Sequence, residues 1–377
     1  MQNTSFPDSK RHYVILDGLR GVAAIMVLLF HIFETFTMGE HLHQKYVNHG
    51  YLAVDFFFVL SGFVIGYAYD DRWGRMTLGN FFKRRVIRLH PMIILGMVIG
   101  ALGFYLSASS VAFPLIGHTP VWKMLLMMIL GFTLLPTLPS MDIRGWGEMH
   151  PLDSPAWSLF YEYVANILYA LFIRKFSNKV LGVLVFIFGC VLIHLAVTSP
   201  IGEVSGGWSL NPANIRIGFT RLLYPFFAGL LLLRVCKPGR LKYAFLCCGI
   251  MVIVALSIPR IGGSEHVWLN GLYESCTIVF IFPLIVYMGA SGKVEGKKAS
   301  KVCKFFGDIS YPLYLTHYPL IYWFTGWVAD NHISLENAIQ VAILVFFFSI
   351  IIAYLSLKLY DIPLRRWLTK RFIVNKG

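Results

Sequence analysis

Arg20 and His31 stand eleven residues apart in a stretch apolar enough to cross a bilayer. In a helix that spacing is about three turns, so both side chains point the same way, roughly 16 Å apart along the axis. Asp17 lies one turn before Arg20 on nearly the same face, and Glu34 lies near the far end. Ionisable groups in hydrocarbon are costly and by default mark a functional site. Arg20 offers a permanent cation with a planar donor fork suited to phosphate or carboxylate. His31 can act as a general base on a hydroxyl near neutral pH. The plainer reading is an Asp17–Arg20 pair and an imidazole bonded to a nearby carbonyl. A cation at one depth and a titratable ring deeper in favour a single lined cavity.

Four further constellations carry chemistry. Asp55 enters the very apolar run 50–63, where Ser61 and Gly62 fit a close helix contact. A buried carboxylate there wants a partner such as Arg20 or His31. In 81–91, Arg85 and Arg88 fall one helical turn apart and form a plausible phosphate clamp, or an ordinary basic stop. In 154–163, Trp157 suits an interfacial aromatic belt and Ser158 follows it. Glu162, a turn or two inside the membrane, is not explained by a belt. In 307–319, His317 sits between Pro312 and Pro319, where it could also satisfy local backbone groups. Phosphate-cradling loops, dinucleotide fingerprints and the H-E-x-x-H pattern are absent from the sequence.

These residues need helices to hold them. The chain has 377 residues, 57% hydrophobic and 14% charged, with mean hydropathy +0.65. A soluble protein carries about 25% charge, so the composition indicates a polytopic membrane protein. The net charge of +14 sits in short loops between apolar spans, which is a topogenic pattern rather than a nucleic-acid surface. The six cysteines show neither metal spacing nor a disulfide framework. The polar, basic start with Lys10 and Arg11 does not read as a cleaved signal peptide.

Eleven apolar stretches occupy 14–37, 50–69, 91–109, 121–138, 156–173, 179–197, 214–235, 241–258, 268–290, 307–328 and 336–359. Each is near the length of a spanning helix. If the basic loops are all cytoplasmic, three stretches between 72–88 and 174–179 violate parity. One of them, with 121–138 the candidate, must fail to cross fully. The expected fold is therefore an all-α membrane bundle of about ten transmembrane helices plus one partial or re-entrant element, with both termini cytoplasmic. It is expected to be one integral-membrane domain over 1–377 with no appended soluble domain.

Taken in order, L-D-G-L-R-G with its distal histidine, D-x-F-F-V-L-S-G, R-R-x-x-R, W-S-L-x-x-E and S-Y-x-L-Y-L-x-H resemble the membrane acyltransferase-3 family, over almost the whole chain. That family includes bacterial O-acetyltransferases of surface polysaccharides. Carried over by position, the resemblance implies an arginine–histidine pair at Arg20 and His31, a cytoplasmic arginine motif at Arg85 and Arg88, and a membrane carboxylate at Glu162. It implies an inner-membrane O-acyltransferase with no permanently bound cofactor and no metal. An acyl group, acetyl in the simplest case, would pass from cytoplasmic acyl-CoA to a hydroxyl of a glycan or lipid-linked sugar. Residues 163–166 depart from commoner members, where a second acid often sits, and point to a stand-alone branch. The expected catalytic set is His31 as base, with Asp55 or Glu162 orienting it. The expected substrate and CoA contacts are Arg20, Arg85, Arg88, Asp17, Trp157, Ser158 and His317. A transporter or flippase using the same buried charges as its path is the rival class.

Overall fold

The structure, a computed structural model, describes residues 13–374 apart from Lys45 and Glu295. Lys10 and Arg11, which bear on the side of the N-terminus, lie outside the described residues, as do residues 375–377. Among the described residues there is no strand beyond isolated bridges. Hydrocarbon offers no partner for backbone polar groups, and the apolar stretches satisfy them internally as helices.

Seven described helices are long and apolar enough to cross a membrane. They comprise α1 (Val14–Glu34), α2 (Ala53–Tyr69), α3 (Leu78–Leu102), three later helices and the C-terminal one. The stretch 121–138 forms α4 (Val121–Phe132), twelve residues. At 1.5 Å per residue it is about 18 Å long, short of a roughly 30 Å hydrocarbon core. The stretch 156–173 forms α5 (Ala156–Leu171), and α6 (Asn178–Val197) and α7 (Pro212–Val235) follow. Next come the short α8 (Ala244–Ser257), then α9 (Trp268–Cys276) running through a wide turn into α10 (Phe282–Ser291). The stretch 307–328 is two helices, not one. α11 (Lys297–Thr316) ends at His317 and α12 (Tyr318–Asn331) begins beyond it. Pro319 sits in the first turn of α12, where its missing N–H costs nothing. The last long helix is α13 (Leu335–Leu355), continuing through another wide turn into α14 (Ile362–Thr369).

Two close crossings hold the centre. α2 meets α7 at reciprocal glycines: a Cβ on Gly62 would lie 2.0 Å from the Phe226 carbonyl oxygen, and one on Gly229 2.0 Å from that of Val59. Just beside this contact the two helices share a fully buried ion pair, Asp55–Arg221. α1 meets α11 in the same way, with Gly21 against the Phe306 carbonyl and Gly307 against Asp17. Small residues permit such backbone approach, which is how helices pack where lipid supplies no hydrophobic drive.

Candidate functional site

Two cavities flank the α1–α2–α11 centre. The first, about 560 Å³, opens toward the basic loops and is lined by Arg20, Arg85, Arg88, Glu162, Lys304 and Arg365 among others. Arg20 comes from α1 and points across to α11. Its Nε donates to Ser310 Oγ at 2.9 Å, and its Nη2 lies 3.4 Å from Asp17. Arg85 donates to Glu162 Oε1 at 2.7 Å, and Ser61 Oγ donates to the same oxygen at 3.2 Å. Asp361 pairs with Arg365 at 2.7 Å. Arg88, one turn beyond Arg85, is exposed along this wall. Among the described residues it makes no hydrogen bond or ion pair. The acids therefore neutralise their own neighbours and leave the Arg88 guanidinium available to an anion.

The second cavity, about 510 Å³, holds His31, Glu34, His41, Glu203 and Arg221, with Trp146, Trp157, Trp208, Tyr51 and Tyr318 supplying aromatic walls. His31 Nδ1 lies 2.7 Å from Glu34 Oε2. A carboxylate only accepts, so Nδ1 donates to it, and Nε2 has no hydrogen-bond partner among the described residues. The His31 ring stacks on His317 with centroids 5.5 Å apart and meets Tyr318 edge-on at 4.8 Å. The other Glu34 oxygen takes His41 Nε2 at 2.8 Å, and His41 Nδ1 lies 2.9 Å from Glu203 Oε2. Burial works against a charge on His41, but the hydrogen bonds to Glu203 and Glu34 outweigh it and push this imidazole up to about 10. Nearby, burial raises the Glu148 carboxyl, which accepts from Tyr322 Oη at 2.6 Å. Burial also drops His150 to about 3.

The cavities share two lining residues, Val54 and Tyr314. Tyr314 Oη is 2.8 Å from Ser158 Oγ, so α5 and α11 are hydrogen-bonded at this boundary.

Several expectations need correcting. Arg20 and His31 share a helix but line different cavities, because the face of α1 between them, with Ala23 and Ala24, is buried in the core. Asp55 does not orient His31. Arg221 takes both its oxygens, with Nη2–Oδ2 at 2.6 Å, since a buried carboxylate is held by the nearest permanent cation. Glu162 does not orient His31 either, being bound to Arg85 in the other cavity. Arg85 is correspondingly not a free half of a phosphate clamp. His317 lines neither cavity; it is buried behind His31 with Nδ1 on the Leu313 carbonyl at 2.9 Å. Asp17 and Ser158 line the basic-side cavity, and Trp157 lines that of His31.

Arg221, His41 and Glu203 were not singled out from the sequence, and Glu34 was noted only in passing. Arg221 carried the signal used for Asp55, an ionisable residue inside an apolar stretch. His41 and Glu203 sit in connections between helices, where no periodicity relates them.

The chain matches the family described as acyltransferase domain over residues 13–358. It is 23% identical over 384 residues to the O-acetyltransferase OatA of Staphylococcus aureus, covering 95% of this chain and 58% of that protein. It is also 32% identical over 169 residues to protein 2 in picA locus of Rhizobium radiobacter, covering 42% of this chain and 81% of that protein. The chain thus spans little more than half the length of its staphylococcal relative. No solved structure matches it.

Proposed function

The chain belongs to the acyltransferase family whose domain it matches over residues 13–358, and from that premise we propose that it is an integral-membrane O-acyltransferase. The donor is an acyl-CoA, entering from the side of the basic loops. The acceptor is a hydroxyl of a glycan or lipid-linked sugar. Within this proposal the bundle makes ten crossings plus one partial element in the inner membrane, with both termini cytoplasmic.

One observation carries the reading: His31, with Nδ1 tied to the Glu34 carboxylate, lines a cavity that abuts a basic one. In the proposed step the acceptor oxygen loses its proton to His31 Nε2 and attacks the thioester carbonyl. The C–S bond breaks, the ester forms, and the proton passes from His31 to the CoA thiolate. Glu34 stabilises the imidazolium between those events, as a carboxylate does in a hydrolase triad. Arg20 and Arg88 hold anionic groups of the donor through charge-assisted hydrogen bonds. Trp146, Trp157 and Trp208 offer flat apolar faces to a sugar ring beside His31. Trp268, on the exposed surface, does not line that cavity.

The test is release of free CoA from acetyl-CoA by purified protein in detergent, with and without candidate glycans. The wild type is expected to release CoA, and His31→Ala to lose about 10²–10⁴ in rate. A folded His31→Ala protein with full activity overturns the assignment. Substrate movement without any CoA release turns the reading toward a transporter.

A further inference from the structure

His31 is the first of a run of alternating acids and bases. Glu34 joins it to His41 at 2.7 and 2.8 Å. Glu203 accepts from His41 at 2.9 Å and from Arg260 at its other oxygen. The members come from α1, the short turn His41–His43, the connection 198–211 and the connection 258–267. His41 and Glu203 are both buried. Nothing in the chemistry of proton abstraction requires the run to extend beyond Glu34.

We propose that His41, backed by Glu203, is a positioning residue that fixes the Glu34 carboxylate and sets how tightly His31 holds a proton. The proposal rests on the acyltransferase reading, in which His31 is the base.

An imidazole facing a carboxylate on each ring nitrogen donates twice only when it carries both protons. His41 is therefore a cation in the wall of the His31 cavity, and its raised proton affinity agrees with that geometry. A cation pinned to one oxygen of Glu34 has two consequences. It fixes the carboxylate so that the other oxygen meets His31 Nδ1, which fixes which nitrogen faces the cavity. It also places a positive charge on the far side of Glu34 from His31, so removing it changes the field at that ring. Glu203 works in the opposite sense, restoring part of the negative field, and Arg260 in turn holds Glu203.

Other groups face the pair and stay constant in the test. Tyr51 stacks on the His41 ring at 5.2 Å, and His317 and Tyr318 contact His31. Glu148, Arg221 and Tyr314 complete the titratable and charged lining.

The variants His41→Gln and Glu203→Gln, in the full chain, separate this role from packing. Two readouts are taken across pH: kcat/KM for CoA release, and the rate at which diethylpyrocarbonate acylates His31, followed by mass spectrometry. The second reports neutral His31 without requiring turnover. Deleting the cation in His41→Gln moves the acid limb of both curves upward by about half to one pH unit. Deleting the anion in Glu203→Gln moves them downward. His41→Lys, which keeps a cation, brings the limb back toward the wild type. Limbs that stay at the wild-type position, or that shift in the same direction in both variants, overturn the proposal. Should the wild type release no CoA, the acyltransferase reading fails, while the His31 acylation curves still decide the role of His41. Thermal melting of each variant identifies one that fails to fold, and the remaining variant then decides by the sign of its shift.

Discussion

Glu34 holds His31 by Nδ1 in the wall of the second cavity and leaves Nε2 without a hydrogen-bond partner among the described residues. Within the proposed reaction Glu34→Gln therefore lowers kcat by about 10² or more, because an amide neither fixes that tautomer nor stabilises the imidazolium. Steady-state CoA release at fixed pH checks this. An effect confined to KM would contradict it. Arg88 calls for the opposite pattern. Its guanidinium is spare while Arg20, Arg85 and Arg365 are each engaged by an acid. A hydrogen bond to a charged group contributes about 1.5–3 kcal/mol, so Arg88→Ala raises the donor KM roughly tenfold to a hundredfold with kcat little changed. The loss is smaller for a donor lacking the nucleotide phosphates. Equal losses with both donors would remove Arg88 from phosphate recognition.

At the scale of elements, the α2–α7 contact explains why Asp55 is held by Arg221 rather than by His31. The crossing at Gly62 and Gly229 brings Arg221 against Asp55, and Arg221 also donates to the Tyr51 carbonyl at 2.8 Å and the Gly206 carbonyl at 3.1 Å. One guanidinium so joins α2, α7 and the connection before α7. Breaking a buried pair from one side costs about 3–5 kcal/mol, because the remaining charge has no compensation. Asp55→Asn is expected to lower the melting temperature in detergent markedly, with the surviving folded protein keeping near-normal kcat. A stable Asp55→Asn protein with lost kcat would return Asp55 to the catalytic set. The break between α11 and α12 has a comparable effect. It sets His317 behind His31 rather than in a cavity, and Pro319 needs no N–H partner there.

For the whole molecule, the arrangement is two cavities back to back with Val54 and Tyr314 between them. If the basic loops face the cytoplasm, the Arg88 cavity opens inward and that of His31 outward. Ser300 lines the first and Ser205 the second. In a background freed of native cysteines, a membrane-impermeant thiol reagent applied to intact cells should label Ser205→Cys and spare Ser300→Cys. Inverted membranes should give the reverse. Labelling of both from one side would defeat the two-sided arrangement.

Much of this was legible in the residues themselves. Composition and apolar run length indicated a helical membrane bundle, because hydrocarbon tolerates few other backbones. Ionisable residues inside those runs marked Arg20, His31, Asp55 and Glu162 as noteworthy, because burying charge is costly whatever the packing. Periodicity also placed Arg20 and His31 on one face of one helix. Long-range partnership was not legible. Glu34 lies one turn from His31 on the same helix, but which cation meets Asp55 and whether two residues on one face share a cavity depend on helices far apart in sequence. Hydrogen bonds act over about 3 Å, a distance that only tertiary packing decides. So the 290-residue reach from Arg20 to Ser310, and the meeting of His41 with Glu203 across 162 residues, belong to the fold alone.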